Sequence, residues 1–379
     1  MSPSRVAVKI IFFLNGFVHA NYFSRLPRIQ DLFGIDNGVV GLVLLSSSVG
    51  ALMAMPFTGW LIIRNGSRRI TIFGAFFYCS LIPFIYWMPT VWALVVLFFL
   101  LGVSAGMLDV AMNSQAVMVE KDLKKPIMTS FHALFSIGMA IGAGSGALFI
   151  RLGMDLFAHF AIVSAVSLVI VFVARHYLVF DKPHTRETEE PAFRLPNAAM
   201  VSIGVIAFCS MLGEGAMADW STNYMKNTVR AAPALAPIGL SAFALAMTIG
   251  RLIGDWARVL LGDRLLMVAC GLVATVGIAI AVIFVQPLSV IAGLFVVGIG
   301  LSAIVPIAYS IAGHTKDLPP GVGLAMVTTV GYSGFLFGPP IIGFIAQWQS
   351  LRVALGLVGI LFVVMTFLSA QRNSEIQKN

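Results

Sequence analysis

The segment GMLDVAMNSQ, residues 106–115, sets an aspartate, an asparagine and a glutamine inside an apolar run that begins near Val91. Gly102, Gly106, Asp109 and Asn113 recur at i, i+4, i+7 and i+11, which is one stripe of a helix. Gln115 points roughly the opposite way, so the carboxyl of Asp109 and the amide of Asn113 are the natural pair. An ionised carboxylate near the centre of a bilayer costs about 2.5–3.5 kcal/mol on insertion scales. A carboxyl that is neutral in one state and charged in another carries a proton, and that is the chemistry expected of Asp109. The competing reading is a packing aspartate satisfied by Asn113 or His132. His132 follows a loop at a similar depth, where it either shares the proton or serves a helix interface.

Further polar residues interrupt other apolar runs. Glu214 and Asp219 are five apart and so occupy different faces, with Trp220 adjacent. Asp219 reads as an outer-mouth residue. Asn15 and His19 stand at i,i+4, as do Thr328 and Tyr332, and Tyr309 lies in a neighbouring run. A carboxylate, an amide, an imidazole and aromatic rings converging on one cavity suit a hydroxylated solute: hydrogen bonds fix its orientation and ring faces pack its C–H groups. The candidate binding residues are therefore Asn15, His19, Asn113, Glu214, Trp220, Tyr309, Thr328 and Tyr332. The candidate proton carriers are Asp109, Glu214 and His132. No GxSxG, HExxH or P-loop is present, so an enzyme is not expected. Cys79, Cys209 and Cys270 fall in separate apolar segments without metal spacing and read as buried filler. No metal and no cofactor is expected. A proton gradient is the expected energy source.

The elements that hold these residues are spanning helices. Of 379 residues, 59% are hydrophobic and 11% charged, with a mean hydropathy of +0.95. Soluble domains carry about 25% charged residues. A membrane-crossing helix needs roughly 20 apolar residues, and twelve segments qualify: 6–24, 38–63, 70–88, 91–118, 127–150, 156–178, 198–225, 234–257, 265–285, 288–312, 321–346 and 352–370. The first of these has some features of a signal peptide but reads as an uncleaved helix. The net charge of +8 does not call for nucleic acid. With both termini inside, only Arg25, Arg28, Arg151, Lys226, Arg230 and Arg352 of the 24 Lys and Arg fall outside, as the positive-inside rule expects. The reading is a multi-pass protein of a bacterial-type cytoplasmic (inner) membrane with cytoplasmic termini. Its expected partners are a small-molecule solute and membrane lipid, and it is expected to act as a monomer.

The polar stretch 181–197 divides twelve spans into six and six, giving bundles over 1–180 and 198–379. A shift of 196 residues lays Gly66 on Gly262, Arg68 on Arg264, Gly102 on Gly298, Gly138 on Gly334 and Gly142 on Gly338. Six spans per half keep the copies parallel, the plan of transporters with a site at the repeat interface.

The six-plus-six layout, the long central loop and the loop GWLIIRNGSRR, Gly59–Arg69, resemble the major facilitator superfamily. That resemblance implies an all-α membrane protein of two six-helix bundles related by a pseudo-two-fold axis. Ile63 stands where the family's loop pattern has an aspartate, whereas the second copy, GRLIGDWARVLLGDR, keeps Arg251 and Asp255 at i,i+4. Arg64, Arg68, Arg251, Asp255 and Arg258 are accordingly expected to latch conformations. The motif LDVAMN resembles a fucose-permease-like branch, which would assign proton coupling to Asp109. The longer run GMLDVAMNSQAVMVE, with FHALFSIGMAIGA at 131–143, is similar to a MosC-like group of bacterial permeases linked to cyclitol-type solutes. Ala143 stands where the superfamily's antiporter signature places a proline, which counts against a drug/proton antiporter. The resemblance implies proton-coupled symport of a sugar- or cyclitol-like solute by alternating access. The alternative is a proton-linked exporter of amphipathic or cationic compounds, with Glu214 facing the cation.

Overall fold

The computed structural model describes residues 2–123, 127–181, 198–313 and 322–371. Every regular element among them is helical. Lipid offers the backbone no hydrogen-bonding partner, so a chain this apolar satisfies its N–H and C=O groups within each segment. Twelve helices are long and apolar enough to cross a membrane, one for each segment expected above. Trp60 and Trp256 are exposed toward one end of the bundle, and Trp87, Trp92 and Trp348 toward the other. That is the position of aromatic belts at membrane–water interfaces.

The first half comprises α1 (Pro3–Ser24), α2 (Leu26–Phe33), α3 (Asn37–Asn65), α4 (Ser67–Leu81), α5 (Val91–Leu123), α6 (Met128–Arg151) and α7 (Leu156–Ala174). The second comprises α8 (Ala198–Asn223), α9 (Ala236–Ile283), α10 (Pro287–Leu301), α11 (Ile304–Gly313), α12 (Val322–Trp348) and α13 (Leu351–Gln371). The linker at 182–197 lies outside the described residues. Acidic side chains at loops are spent on helix starts, where free N–H groups and the helix dipole favour them. Asp36 and Asp155 cap α3 and α7 from their own chain positions. Glu120 reaches across a loop to Ile127 N and Met128 N, both at 2.8 Å. Asp181 accepts from Ser67 N at 2.5 Å and Arg68 N at 3.2 Å, so it caps α4 from more than a hundred residues away.

The duplication is visible in conformation. Gly66 and Gly262, paired by the repeat, both take positive φ, at 82° and 74°, a region that glycine enters without Cβ strain. The guanidinium of Arg68 donates to the carbonyl of Arg175, and that of Arg264 donates to the carbonyl of Ala370, each at the end of its half's last span. A Cβ on Gly102 would strike the carbonyl oxygen of Ser47, and one on Gly298 that of Phe243, so both halves use the same close helix pair.

The eighth and ninth spans, together α9, are two helices that meet at a kink at Gly262, whose φ of 74° and ψ of 164° are not helical. Two features differ from the sequence reading. The tenth is split at Ser302 and Ala303 between α10 and α11. Pro306 explains the split, because its ring cannot donate to the carbonyl of Ser302 and crowds it. The short helix α2 is amphipathic and too short to register as a span.

The halves meet along α3 with α12 and along α6 with α9. They are pressed together on the side opposite the termini. There Lys226 pairs with Asp31, and Gln30 accepts from Asn223 at 3.0 Å and Asn227 at 3.4 Å. At Gly41 and Gly343 the two backbones touch: a Cβ on Gly41 would lie 2.8 Å from the oxygen of Pro339, and one on Gly343 would lie 2.7 Å from that of Asn37. Nearer the termini the halves part around a cavity. Overpacking a tight contact costs about 1–3 kcal/mol, or roughly 5- to 150-fold in a conformational ratio. Gly41→Ala therefore shifts the population toward a state open on the sealed side. Spin labels at Leu32 and Leu235 should report a new, longer distance in the variant, and an unchanged distribution would contradict this account of the seal.

Candidate functional site

A cavity of about 480 Å³ lies between the halves. Each lining helix contributes residues at helical spacing, so one face of each is turned inward. α5 supplies Asp109 and Met112, α6 supplies Met128, His132 and Phe135, and α8 supplies Met211 and Glu214. α9 supplies Arg251, Gly254 and Arg258, the α10–α11 segment supplies Ser302, Pro306 and Tyr309, and α12 supplies Tyr332 and Phe335. The mixed lining has few charges among sulfur and aromatic groups, as small-molecule sites do.

The charges are individually held. Arg251 Nη2 lies 3.2 Å from Glu214 Oε1, with side-chain exposures of 16% and 21%. Its Nη1 donates to Ser136 Oγ at 2.6 Å, so the same guanidinium ties α8 of one half to α6 of the other. Arg258 donates through Nε to Asp263 at 2.5 Å and through Nη2 to Ser310 at 2.9 Å. Asn113 Nδ2 donates to the backbone oxygen of Asp109 at 2.8 Å and to its Oδ1 at 3.3 Å. The ring of His132 stands edge-on to Phe12, 5.3 Å between centroids.

Five of the candidate binding and proton-carrying residues meet here: Asp109, His132, Glu214, Tyr309 and Tyr332. Asn113 and Thr328 instead line a neighbouring crevice of about 700 Å³. Others lie off both cavities. Asn15 is buried and donates to Met112 Sδ at 3.7 Å, one layer behind the lining. The Nδ1 of His19 bonds the hydroxyls of Tyr22 at 3.2 Å and Tyr78 at 3.5 Å, inside the first bundle. Trp220 is fully buried among apolar side chains, not in the cavity wall. Asp219 is half-buried on α8 rather than at a solvated mouth. Gln115 is a clasp: it donates to Ser67 Oγ at 2.7 Å and Val179 O at 3.0 Å, and accepts from Val179 N at 2.8 Å.

The latch assignments change most. Arg251 is not a loop residue, because its long side chain runs back from the end of its span into the cavity, where Glu214 and Ser136 receive it. Arg258 likewise reaches the cavity wall. Arg64 lies over the ring of Trp60 at 4.2 Å, and Arg68 is bound to the carbonyl of Arg175. Neither makes an ion pair among the described residues. The side chain of Asp255 lies outside the described residues. Only the i, i+3, i+7 spacing of Arg251, Gly254 and Arg258 could have pointed to the cavity from sequence.

Comparison with known proteins decides the family. Residues 9–315 match the Major Facilitator Superfamily. The chain belongs to that superfamily. An uncharacterised MFS-type transporter of Yersinia pestis is 33% identical over 95% of this chain and 94% of its own. The membrane protein MosC of Rhizobium meliloti is 30% identical over 92% of this chain and 85% of its own. Among solved structures, the nucleoside transporter NupG superposes with a TM-score of 0.77 over 100% of both chains at 13% identity. A bacterial homologue of the human lysosomal transporter Spinster, inward-facing and occupied, gives 0.69 over 97% of both, also at 13% identity. The MFS chain is thus a multi-pass membrane protein and a secondary transporter, and not an enzyme.

Breaking a buried ion pair by removing one partner costs about 3–5 kcal/mol, and partial exposure lowers that figure. Glu214→Ala should therefore lower the apparent unfolding temperature of the detergent-purified MFS protein by several degrees. The double variant Glu214→Ala/Arg251→Met should recover most of the loss. A double variant as labile as the single one would show that the two charges are not coupled.

Proposed function

We propose that this MFS transporter is a proton-coupled symporter of a small, neutral, polar solute of sugar or cyclitol type. It would sit in a bacterial-type cytoplasmic membrane with its termini inside and work as a monomer. The observation that carries the reading is the company kept in the central cavity. Asp109 stands there without an arginine partner among the described ion pairs, while Glu214 is matched by Arg251. Because Glu214 and Arg251 already meet each other, the site favours a solute that brings hydrogen bonds rather than charge. Tyr309, Tyr332 and the Glu214–Arg251 pair offer donors and acceptors to hydroxyl groups, and Phe135 and Phe335 offer faces for C–H groups.

The mechanism follows from the cost of sealing a charge. Rocking the bundles to close the cavity takes Asp109 out of water. A charged carboxylate resists that by about 2.5–3.5 kcal/mol, whereas a neutral carboxyl resists far less. Protonation therefore biases the equilibrium toward states in which the site is enclosed, and the proton travels with the solute. His132, which lines the same cavity from α6, would share that proton. The alternative, an exporter of amphipathic or cationic compounds, draws on Met112, Met128 and Met211, whose flexible thioethers adapt to varied apolar ligands.

Asp109→Asn removes the titration while keeping the shape. In proteoliposomes it should cut accumulation driven by an imposed proton gradient by at least about tenfold, with downhill exchange of the same solute retained. Gradient-driven uptake equal to that of the unsubstituted protein would disprove the proton role of Asp109.

A further inference from the structure

The crevice beside the central cavity has no part in solute binding as described above, yet Asp109 and Tyr332 line both spaces. The two residues form the wall between them. The crevice is bounded by Leu52 and Met55 of α3, by Asn113, Ser114 and Val117 of α5, and by Thr328, Thr329 and Ser333 of α12. From Asp109 to Val117 it follows α5 for roughly 12 Å at a rise of about 1.5 Å per residue. Val117 at its far end is exposed. A volume of about 700 Å³ has room for several waters at about 30 Å³ each; Leu52, Met55, Val110, Val117 and Leu336 make much of the wall apolar, and Asn113, Ser114, Thr328 and Ser333 supply its polar groups.

We propose that this crevice is the proton's route between Asp109 and the side of the membrane that carries the termini, separate from the route of the solute. The inference rests on the proton role of Asp109 argued above. A solute seated in the central cavity blocks the water path through it, and the crevice then keeps Asp109 in contact with bulk water. In the step itself the Asp109 carboxyl gives its proton to a water in the crevice, leaving a carboxylate and a hydronium ion whose proton passes to bulk. The charged and titratable groups that face Asp109 from other helices are His132 on α6, Glu214 on α8, Arg251 and Arg258 on α9, Tyr309 on α11 and Tyr332 on α12. All of them border the central cavity, and of these only Tyr332 also borders the crevice. A proton leaving through the crevice therefore avoids the guanidinium groups.

The test needs no solute. Cys79, Cys209 and Cys270 are buried, so a bulky maleimide reports on one introduced thiol. Ser114→Cys places it in the crevice, where the native hydroxyl donates to Val110 O of its own helix. Gly254→Cys places it in the central cavity. Infrared difference spectroscopy at acidic pH, with Asp109→Asn to identify the band, follows hydrogen–deuterium exchange of the Asp109 carboxyl after mixing with D2O. We expect the labelled Ser114→Cys protein to exchange at least tenfold more slowly than its unlabelled form, and the labelled Gly254→Cys protein to exchange at the unlabelled rate. Ser333→Cys, labelled in the same way, should repeat the slowing from the opposite wall. Slowing from Gly254→Cys alone, from both cavities, or from neither would overturn the separate route. Because exchange is read without transport, a failure of gradient-driven uptake in the unsubstituted protein remains a distinct result that strikes the symport reading itself.

Discussion

A carboxylate in a membrane interior is tolerated only where something offsets the loss of water, and the acidic residues of this chain are arranged by that rule. At the loops they find helix starts: Asp36 and Asp155 cap their own helices, and Glu120 and Asp181 reach across to cap others. Within the spans, Glu214 is met by Arg251. Among the described residues, Asp109 has only the amide of Asn113 as a side-chain hydrogen-bond partner. A hydrogen bond of that kind lets the carboxyl be charged or neutral, whereas an ion pair would hold it charged. The difference between these two acids, paired and unpaired within one cavity, separates a group that holds the site together from one that is free to change state.

The symmetry of the bundles turns that local chemistry into movement. Paired glycines let helices approach at backbone distance in each half, so each bundle is stiff within itself. Between the halves the contacts are fewer and lie mostly toward one side: the Gly41–Gly343 approach, the Asp31–Lys226 pair and the amides around Gln30. Arg251 adds one tie from inside the cavity, since its guanidinium bridges Glu214 in its own half and Ser136 in the other. A ligand or proton that alters the charge around Arg251 therefore acts on a contact that joins the moving bodies. This gives alternating access a physical lever in addition to the open space.

Hydropathy, period and repeat carried the reading from sequence a long way. The apolar runs gave every span, because lipid leaves a long apolar segment no other structure. The glycine matches at a 196-residue shift marked real close contacts. Asp109, His132, Glu214, Tyr309 and Tyr332 were legible as polar interruptions of apolar helices. Other features were hidden for specific reasons. Trp220 lies six residues after Glu214, a spacing that turns it to another face of α8, into apolar packing. Asn15 stops one layer short of the cavity because Met112 stands in front of it. Arg251 looked like a loop cation since its α-carbon lies near the end of its span, and only side-chain length and direction bring its charge inward. Gln115 could not be assigned at all, because its partners Ser67 and Val179 are brought to it by tertiary packing.

The most direct test of a neutral solute moved with a proton through Asp109 is a thermal-shift screen of the purified MFS protein at two pH values, with Asp109→Asn beside it. The ligands are sugars, cyclitols, amino sugars, organic acids and lipophilic cations. Stabilisation by a neutral polyol class, dependent on pH in the natural sequence and independent of pH in the variant, is the predicted result. Stabilisation by lipophilic cations alone, or a pH dependence that survives in Asp109→Asn, would contradict it.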